Sequence, residues 1–198
     1  TSSPYVDKTN ITEGLFTAKS YPRLNDRCNI TSCKKVGKHL VIPNAIGNSP
    51  VFRIGVGAFK NKTKITTVDF GTSVVNIGRE AFSGCTGMKR LNLPTNVIQL
   101  EKRAFADCAQ LESVNLSGVI HIDSEVFVNC RKLNKVTISH SCAFIGEDAF
   151  AGCDNLTIYA PPRSYAERYA QEHGIAVSDL KKKSLRSKIK QHLRKKFS

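Results

Sequence analysis

Cysteine is the residue in this chain whose chemistry depends most on spacing. Four of the seven cysteines, Cys85, Cys108, Cys130 and Cys153, recur at intervals of 23, 22 and 23 residues. Zinc sites and redox pairs draw ligands from positions a few residues apart. A recurrence this long instead places one thiol in each of several equivalent units. If those units stack in parallel register, the side chains point the same way and lack the opposed geometry of a disulfide. They are therefore expected as buried free thiols. Cys142 falls in an apolar column, which leaves Cys28 and Cys33 as the pair able to bridge. With His39 these two can also be drawn as a metal site, but three ligands at loose spacing with no second pair form a weak pattern. No phosphate-binding G-x-x-x-x-G-K, no G-x-S-x-G and no H-E-x-x-H is present, and Gly55 and Gly57 lack the third glycine of a dinucleotide motif. His121 and His140 fall at surface-type positions. No catalytic residue, cofactor, metal or small-molecule substrate is expected from these patterns.

The units that position the thiols are written five times between Ile54 and Cys153: IGVGAFKNK, IGREAFSGC, LEKRAFADC, IDSEVFVNC and IGEDAFAGC. Their phenylalanines are Phe59, Phe82, Phe105, Phe127 and Phe150. A fixed period of 22 or 23 residues means that each unit buries its apolar face only by stacking on its neighbours. Three residues beyond the cysteine column stands an apolar anchor, Ile65, Met88, Leu111, Leu133 or Leu156. Next come period-two pairs such as Leu91 and Leu93, or Val114 and Leu116, the inward positions of a short strand. A second apolar pair closes each unit, as in Val74 and Ile77. Just before the cysteine column stand Asn61, Gly84, Asp107, Asn129 and Gly152, residue types that tolerate a left-handed backbone. Two short strands joined by a helical turn carrying Ala-Phe are expected to make one coil.

The phrase I-G-x-x-A-F-x-G-C-x-x-L-x-x-V-x-L-P, matched nearly in full by Gly78, Ala81, Phe82, Gly84, Cys85, Met88, Leu91, Leu93 and Pro94, resembles the BspA-like, or Treponema-type, leucine-rich repeat of bacterial and some protist surface proteins. Glu101 and Asp123 depart from its glycine, Val126 from its alanine and Lys62 from its cysteine. The resemblance implies an α/β repeat solenoid, a leucine-rich-repeat right-handed superhelix with short parallel strands and helical turns. It also implies a binding scaffold, since solenoids of this kind carry their function on their surface.

The remaining segments divide the chain. Residues 1–23 are a polar N-terminal extension, 24–50 an N-terminal capping unit with Leu40, Val41, Ile42 and Pro43 in its last strand, and 51–160 the repeats. Residues 161–180 make a C-terminal cap: Pro161 and Pro162 stop a strand, Ser164 and Glu167 form a capping box, and Tyr165, Ala166, Tyr169 and Ala170 share a helix face that ends at Gly174. No apolar run approaches the length of a membrane span. The chain begins at Thr1 and its one methionine is Met88, so a leader segment is left open. Five N-x-S/T sequons occur, at Asn10, Asn29, Asn61, Asn115 and Asn155; with the bacterial source that the resemblance implies, they are expected to carry no glycan.

Charge is concentrated at one end. The formal net of +14 divides into +5 for residues 1–180 and +9 for residues 181–198, which hold nine cations and no acid. The tail cations Lys181, Lys182, Lys183, Arg186, Lys188, Lys190, Arg194, Lys195 and Lys196 surround Leu185, Ile189, Leu193 and Phe197, an apolar residue every fourth position. Such a segment suits a polyanion or an anionic membrane. The other candidate site is the outward face of the first strand in each coil, the concave face of the expected superhelix. Its two columns are Thr67, Arg90, Ser113 and Lys135 beside Asp69, Asn92, Asn115 and Thr137. Together these features lead us to expect a non-enzymatic binding or adhesion module, on the cell surface or secreted, that takes a protein or glycan on the strand face. Two alternatives remain: a cytoplasmic binder of nucleic acid or anionic membrane acting through the tail, and an accessory module of a larger enzyme.

Overall fold

A computed structural model of the chain describes residues 9–21 and 26–179. It is a β-solenoid. The leading edge is antiparallel: β1 (Thr9–Glu13) pairs with β2 (Phe16–Tyr21), and β2 with β3 (Arg27–Cys33). From β3 onward the sheet turns parallel, running through β6 (Ser49–Ile54), β8 (Asn76–Ile77), β10 (Gln99–Leu100), β12 (His121–Ile122) and β14 (Phe144–Ile145), while β5 (Ala45–Ile46) folds back on β6. The second sheet carries the L-x-L segments: β9 (Arg90–Asn92), β11 (Ser113–Leu116), β13 (Lys135–Ile138), β15 (Thr157–Ala160) and β16 (Ala176–Asp179), all parallel. Ahead of them β4 (His39–Val41) pairs with β7 (Thr67–Asp69).

The first sheet has a repeated irregularity. Ile98 and Gln99 both donate their N–H groups to the carbonyl of Val75, Ile120 and His121 both donate to Ile98, and Ala143 and Phe144 both donate to Ile120. The carbonyl is shared between two donors while the strands keep a one-to-one register. Each coil has two outward side chains here, such as Ile98 and Gln99, between the buried pair Val97 and Leu100.

The corner that carries Ala-Phe is not a helix, which corrects the sequence expectation. Among the described residues the one α-helix is α1 (Tyr165–Glu172). Each corner instead alternates two kinds of bond. Ala81, Ser83 and Cys85 donate to carbonyls three residues back in their own coil, whereas Glu80, Phe82 and Gly84 donate to Lys102, Ala104 and Ala106 in the next coil. Left-handed residues recur two positions either side of each phenylalanine and impose this alternation. After the ring stand Asn61, Gly84, Asp107, Asn129 and Gly152, as the column of turn residues indicates. Before it stand Gly57, Glu80, Arg103, Glu125 and Asp148, with φ between +55° and +63°. A run of α-helix cannot pass through two such residues four apart. The corner is thus a ladder whose inter-coil N–H groups all point toward the C-terminal end.

The core lies between the three faces. Phe59, Phe82, Phe105, Phe127 and Phe150 stack with centroids 5.0, 5.3, 5.6 and 5.5 Å apart and planes within 13°. Burying each ring contributes about 2 kcal/mol, and each stacked contact about 1 kcal/mol more. Tyr169 of α1 closes the column edge-on against Phe150 at 6.1 Å. The helix starts at Ser164, whose Oγ accepts from the N–H of Glu167 at 3.2 Å. The Glu167 carboxylate accepts from Arg163 at 2.6 Å instead of closing the box on Ser164. It ends in a Schellman motif, with Ile175 donating to Ala170 and Gly174 to Gln171 around a left-handed Gly174.

Candidate binding face

The parallel strands that carry the repeat's leucines alternate inward and outward, so their outward residues align by register. Arg90, Ser113, Lys135 and Thr157 form one column, and Asn92, Asn115, Thr137 and Tyr159 the other. On the N-terminal side His39 pairs with Thr67 and Val41 with Asp69. The two blocks are continuous, because the residue preceding each of β7, β9, β11 and β13 donates to its counterpart one coil back: Thr66 to Lys38, Lys89 to Thr66, Glu112 to Lys89 and Asn134 to Glu112, after which Thr157, the first residue of β15, donates to Asn134. All eight expected positions lie on this face and none is buried. Thr67, Asp69, Arg90, Asn92 and Asn115 are exposed, and Ser113, Lys135 and Thr137 half-buried.

The face extends two rows further than the sequence reading placed it. His39 and Val41 add a row before Thr67, and Thr157 and Tyr159 add one after Lys135. The signal was available: Leu40 stands in the column of Val68 and Leu91, and Tyr159 lies one repeat period beyond Thr137.

Electrostatically the face is uneven. His39 Nε2 lies 3.2 Å from Asp69 Oδ2, and His39 Nδ1 is 2.8 Å from Thr67 Oγ1, so the single aspartate of the columns already has a partner. The Lys135 ammonium sits 5.7 Å from the centre of the Tyr159 ring. The Asn115 side-chain oxygen accepts from the N–H of Ser117 at 3.2 Å, a local turn that fixes its rotamer. Arg90 stands between two depressions. One, of about 510 Å3, has an apolar floor of Phe70, Leu93 and Pro94 beside Asp69 and Asn92. The other, of about 560 Å3, is edged by Thr66, Lys89 and Glu112.

The thiols do not contribute a site. Cys85, Cys108, Cys130 and Cys153 each direct Sγ at the carbonyl of the phenylalanine one coil back, at 3.2 to 3.3 Å. Burial pushes Cys85 and Cys153 up to about 12, and the neighbouring Cys130 thiol together with burial holds Cys108 well above its ordinary value. Cys28 and Cys33 occupy opposite ends of β3, both buried, with Cys28 Sγ on the Ser49 carbonyl and Cys33 Sγ on that of Lys35. Five residue steps along the extended strand separate them by about 16 Å, far beyond disulfide reach, so the bridge allowed by the sequence is not possible on this strand. Among the described residues no group of three or more His, Cys, Asp or Glu is placed to hold a metal ion, and no helix is long and apolar enough to cross a membrane.

Charged residues missed as such by sequence reading tie the corners together. Glu101, which replaces a repeat glycine, accepts from Arg53 Nη2 at 2.6 Å and from the N–H of Arg79 at 3.0 Å, joining three coils. Arg103 reaches Glu125 at 2.8 Å and Asp107 at 3.0 Å, Lys102 reaches Glu125 at 2.7 Å, and Lys60 pairs with Glu80. A cleft of about 550 Å3 opens between the last coil and α1, lined among others by Asp148, Gly152, Asn155 and His173. The basic-tail positions Lys181 to Lys196 lie outside the described residues.

Comparison with known proteins agrees with this geometry. Residues 38–165 match the BspA type leucine rich repeat region, in six copies. The structure is similar to that of a leucine rich repeat protein of T. pallidum, 29% identical, with a TM-score of 0.70 over 75% of this chain and 71% of that one. It is also similar to a leucine rich cell surface protein of Faecalibacterium prausnitzii, 22% identical, TM-score 0.53, over 80% of this chain and 55% of that one. A leucine-rich repeat protein of Bacteroides capillosus, 23% identical, also gives a TM-score of 0.53, over 76% and 97%. No curated protein sequence matches the chain. With a repeat match over most of its length, and with each repeat observed as one coil, the chain belongs to the BspA-type leucine-rich repeat family.

Proposed function

We propose that this chain is a recognition module without catalytic activity of its own, which binds a protein or glycan partner through the outward face of its parallel strands and works on or outside a bacterial cell. The observation that carries this is the in-register double column from His39 and Val41 to Thr157 and Tyr159. It is a continuous regular surface, and it carries polar and charged side chains in a geometry held by backbone pairing instead of by loops. A surface of this size offers fewer side chains than the 20 to 30 per side usual in a stable complex, so the contact is weak singly and strengthened by multivalency. External placement is consistent with the cysteine chemistry, because thiols that are buried and hard to ionise resist oxidation. The F. prausnitzii protein is described as a cell surface protein, and the same placement is proposed here.

The test is to screen the full chain against arrayed purified glycans and extracellular proteins, then repeat each hit with the Arg90→Glu, Lys135→Glu double variant. Loss of the hit with unchanged circular dichroism supports the reading. A hit retained at full strength places the contact elsewhere.

A second contact is proposed for residues 181–198, on the ground of their nine cations and absence of acid. Counterion release makes such binding strongly salt-dependent and indifferent to sequence. Removing residues 181–198 should abolish retention on heparin and on anionic vesicles at moderate salt. Equal retention of the shortened chain assigns the affinity to the +5 body.

A further inference from the structure

We infer that the cleft between the last coil and α1 is a docking site separate from the strand face, and that it takes an extended basic segment of a partner protein through that segment's backbone carbonyls. Three observations carry it. First, the corner ladder ends there in donors alone. In every earlier coil the N–H groups equivalent to those of Asp148, Phe150 and Gly152 donate to the coil that follows, as Glu80, Phe82 and Gly84 donate to Lys102, Ala104 and Ala106. In the last coil no backbone carbonyl among the described residues accepts them, and Asp148 and Gly152 are exposed in the cleft. The carbonyls of this corner are already engaged: Glu147, Ala149 and Ala151 accept from Glu125, Phe127 and Asn129 of the preceding coil, and Asp148 and Phe150 accept from Ala151 and Cys153. An ordinary sheet edge exchanges bonds with an added strand in both directions. This edge only donates. Second, its carboxylates are unmatched. Glu80 takes Lys60 from the coil before it, and Glu125 takes Lys102 and Arg103. For Asp148 the equivalent positions of the coil before it hold Val128, Ser124 and Glu125, none of them a cation. Asp154 lies in the same cleft, and no lysine or arginine among the described residues lines it. Third, Tyr169 and Ile175 line the cleft as apolar groups, against which the methylene stem of a lysine packs while its head reaches a carboxylate.

Donors without acceptors beside carboxylates without cations call for one ligand that brings carbonyls and positive charge together, and a basic polypeptide does so. Extended backbone turns a carbonyl to the same side at alternate residues, the interval at which the ladder's donors stand. The N–H of each such residue lies on that side too, and it meets no acceptor on this edge. Proline at those positions therefore loses nothing, since it has no N–H to leave unpaired.

The experiment adds three end-blocked peptides to the full chain: Pro-Lys-Pro-Lys-Pro, Ser-Lys-Ser-Lys-Ser and Pro-Gln-Pro-Gln-Pro. Affinity is read by fluorescence anisotropy, and hydrogen exchange is followed at the Asp148 and Gly152 amides. Both lysine peptides carry the same charge, so any repulsion by residues 181–198 is common to them. The proline-lysine peptide is expected to bind at least as tightly as the serine-lysine peptide, and at saturation to slow both amides roughly tenfold or more. Replacing lysine by glutamine, or the chain by its Asp148→Asn, Asp154→Asn variant, should weaken binding roughly tenfold. Asparagine tolerates the left-handed backbone at position 148, where φ is +58°, so the corner is kept. Binding lost on going from serine to proline would show two-way strand pairing and overturn the inference. Failure of both lysine peptides to bind overturns it, as does binding that leaves both amides unaffected or ignores the double variant. Amides already slow in the free chain overturn it too, because the chain would then satisfy its own edge.

Discussion

Cys108 Sγ lies 3.3 Å from the carbonyl oxygen of Phe82, one coil back, in a fully buried position. The same contact recurs at Cys85, Cys130 and Cys153, so each thiol joins two coils by an S–H donor that also packs as a small hydrophobe. The shorter bond from Cβ to an oxygen would leave a serine hydroxyl short of that carbonyl. Cys108→Ser should therefore destabilise by about 1–3 kcal/mol, the cost of a poorly paired buried hydroxyl. Urea denaturation measures it, and an unchanged midpoint would deny the contact its role.

Raised thiol pKa values give a pH prediction. Cys28 and Cys142 are pushed up to about 11, and Cys85 and Cys153 to about 12, in each case chiefly by burial, from an ordinary value of 9.0. The folded state holds these protons more tightly than the unfolded one, so their contribution is complete below pH 9 and is lost as pH rises from 9 toward 12. Under reducing conditions the denaturation midpoint should fall over that window, and less steeply in a Cys85→Ala, Cys153→Ala variant. Parallel pH profiles for the two proteins would count against buried thiols as the source.

The left-handed column before the phenylalanine reverses an ordinary preference. Glu80 has φ +55°, where a side chain with a Cβ costs about 1–2 kcal/mol. Glu80→Ala and Glu80→Gly both lose the Lys60 pair, but only glycine relieves the backbone. The glycine variant should be the more stable by about 1 kcal/mol after allowing for its entropy in the unfolded chain. The usual order, alanine above glycine, would contradict the corner geometry.

That column shows where sequence reading stops. The thiol column, the phenylalanine stack, both sets of inward residues and the left-handed column after the ring were legible, because in each the same physical requirement selects similar residue types coil after coil. Glu80, Arg103 and Glu125 are not residues chosen for positive φ. They are held there by inter-coil hydrogen bonds and serve in ion pairs, so their letters announce charge and not conformation. Without them the Ala-Phe corner reads as a helical turn. The bridge between Cys28 and Cys33 was open on spacing alone and closes only once both are seen on one extended strand. On the binding face the columns followed from period-two alternation; the row at His39 and Val41 was harder to place, because it lies in a capping unit that does not repeat the A-F phrase and is marked only by Leu40 in the inward column.

The corner ladder has an open end. Glu80, Phe82 and Gly84 donate to the following coil, but among the described residues no backbone carbonyl accepts from the equivalent Asp148, Phe150 and Gly152. Tyr169 covers Phe150, while Asp148 and Gly152 are exposed at the cleft beside α1. Hydrogen exchange should find the Glu80 and Gly84 amides slowed by orders of magnitude relative to those of Asp148 and Gly152. Equal protection at the two sites would mean that the ladder is capped by a donor-satisfying partner.

The claim that the strand face is the recognition surface is tested most directly by mapping amide chemical shifts in the full chain while a binding partner from the array screen is added. The account predicts perturbations at residues 67–69, 90–92, 113–115, 135–137 and 157–159, following the register of the parallel strands. Perturbations confined to residues 181–198, or to the outward residues Gln99, His121 and Phe144 of the other sheet, would contradict it.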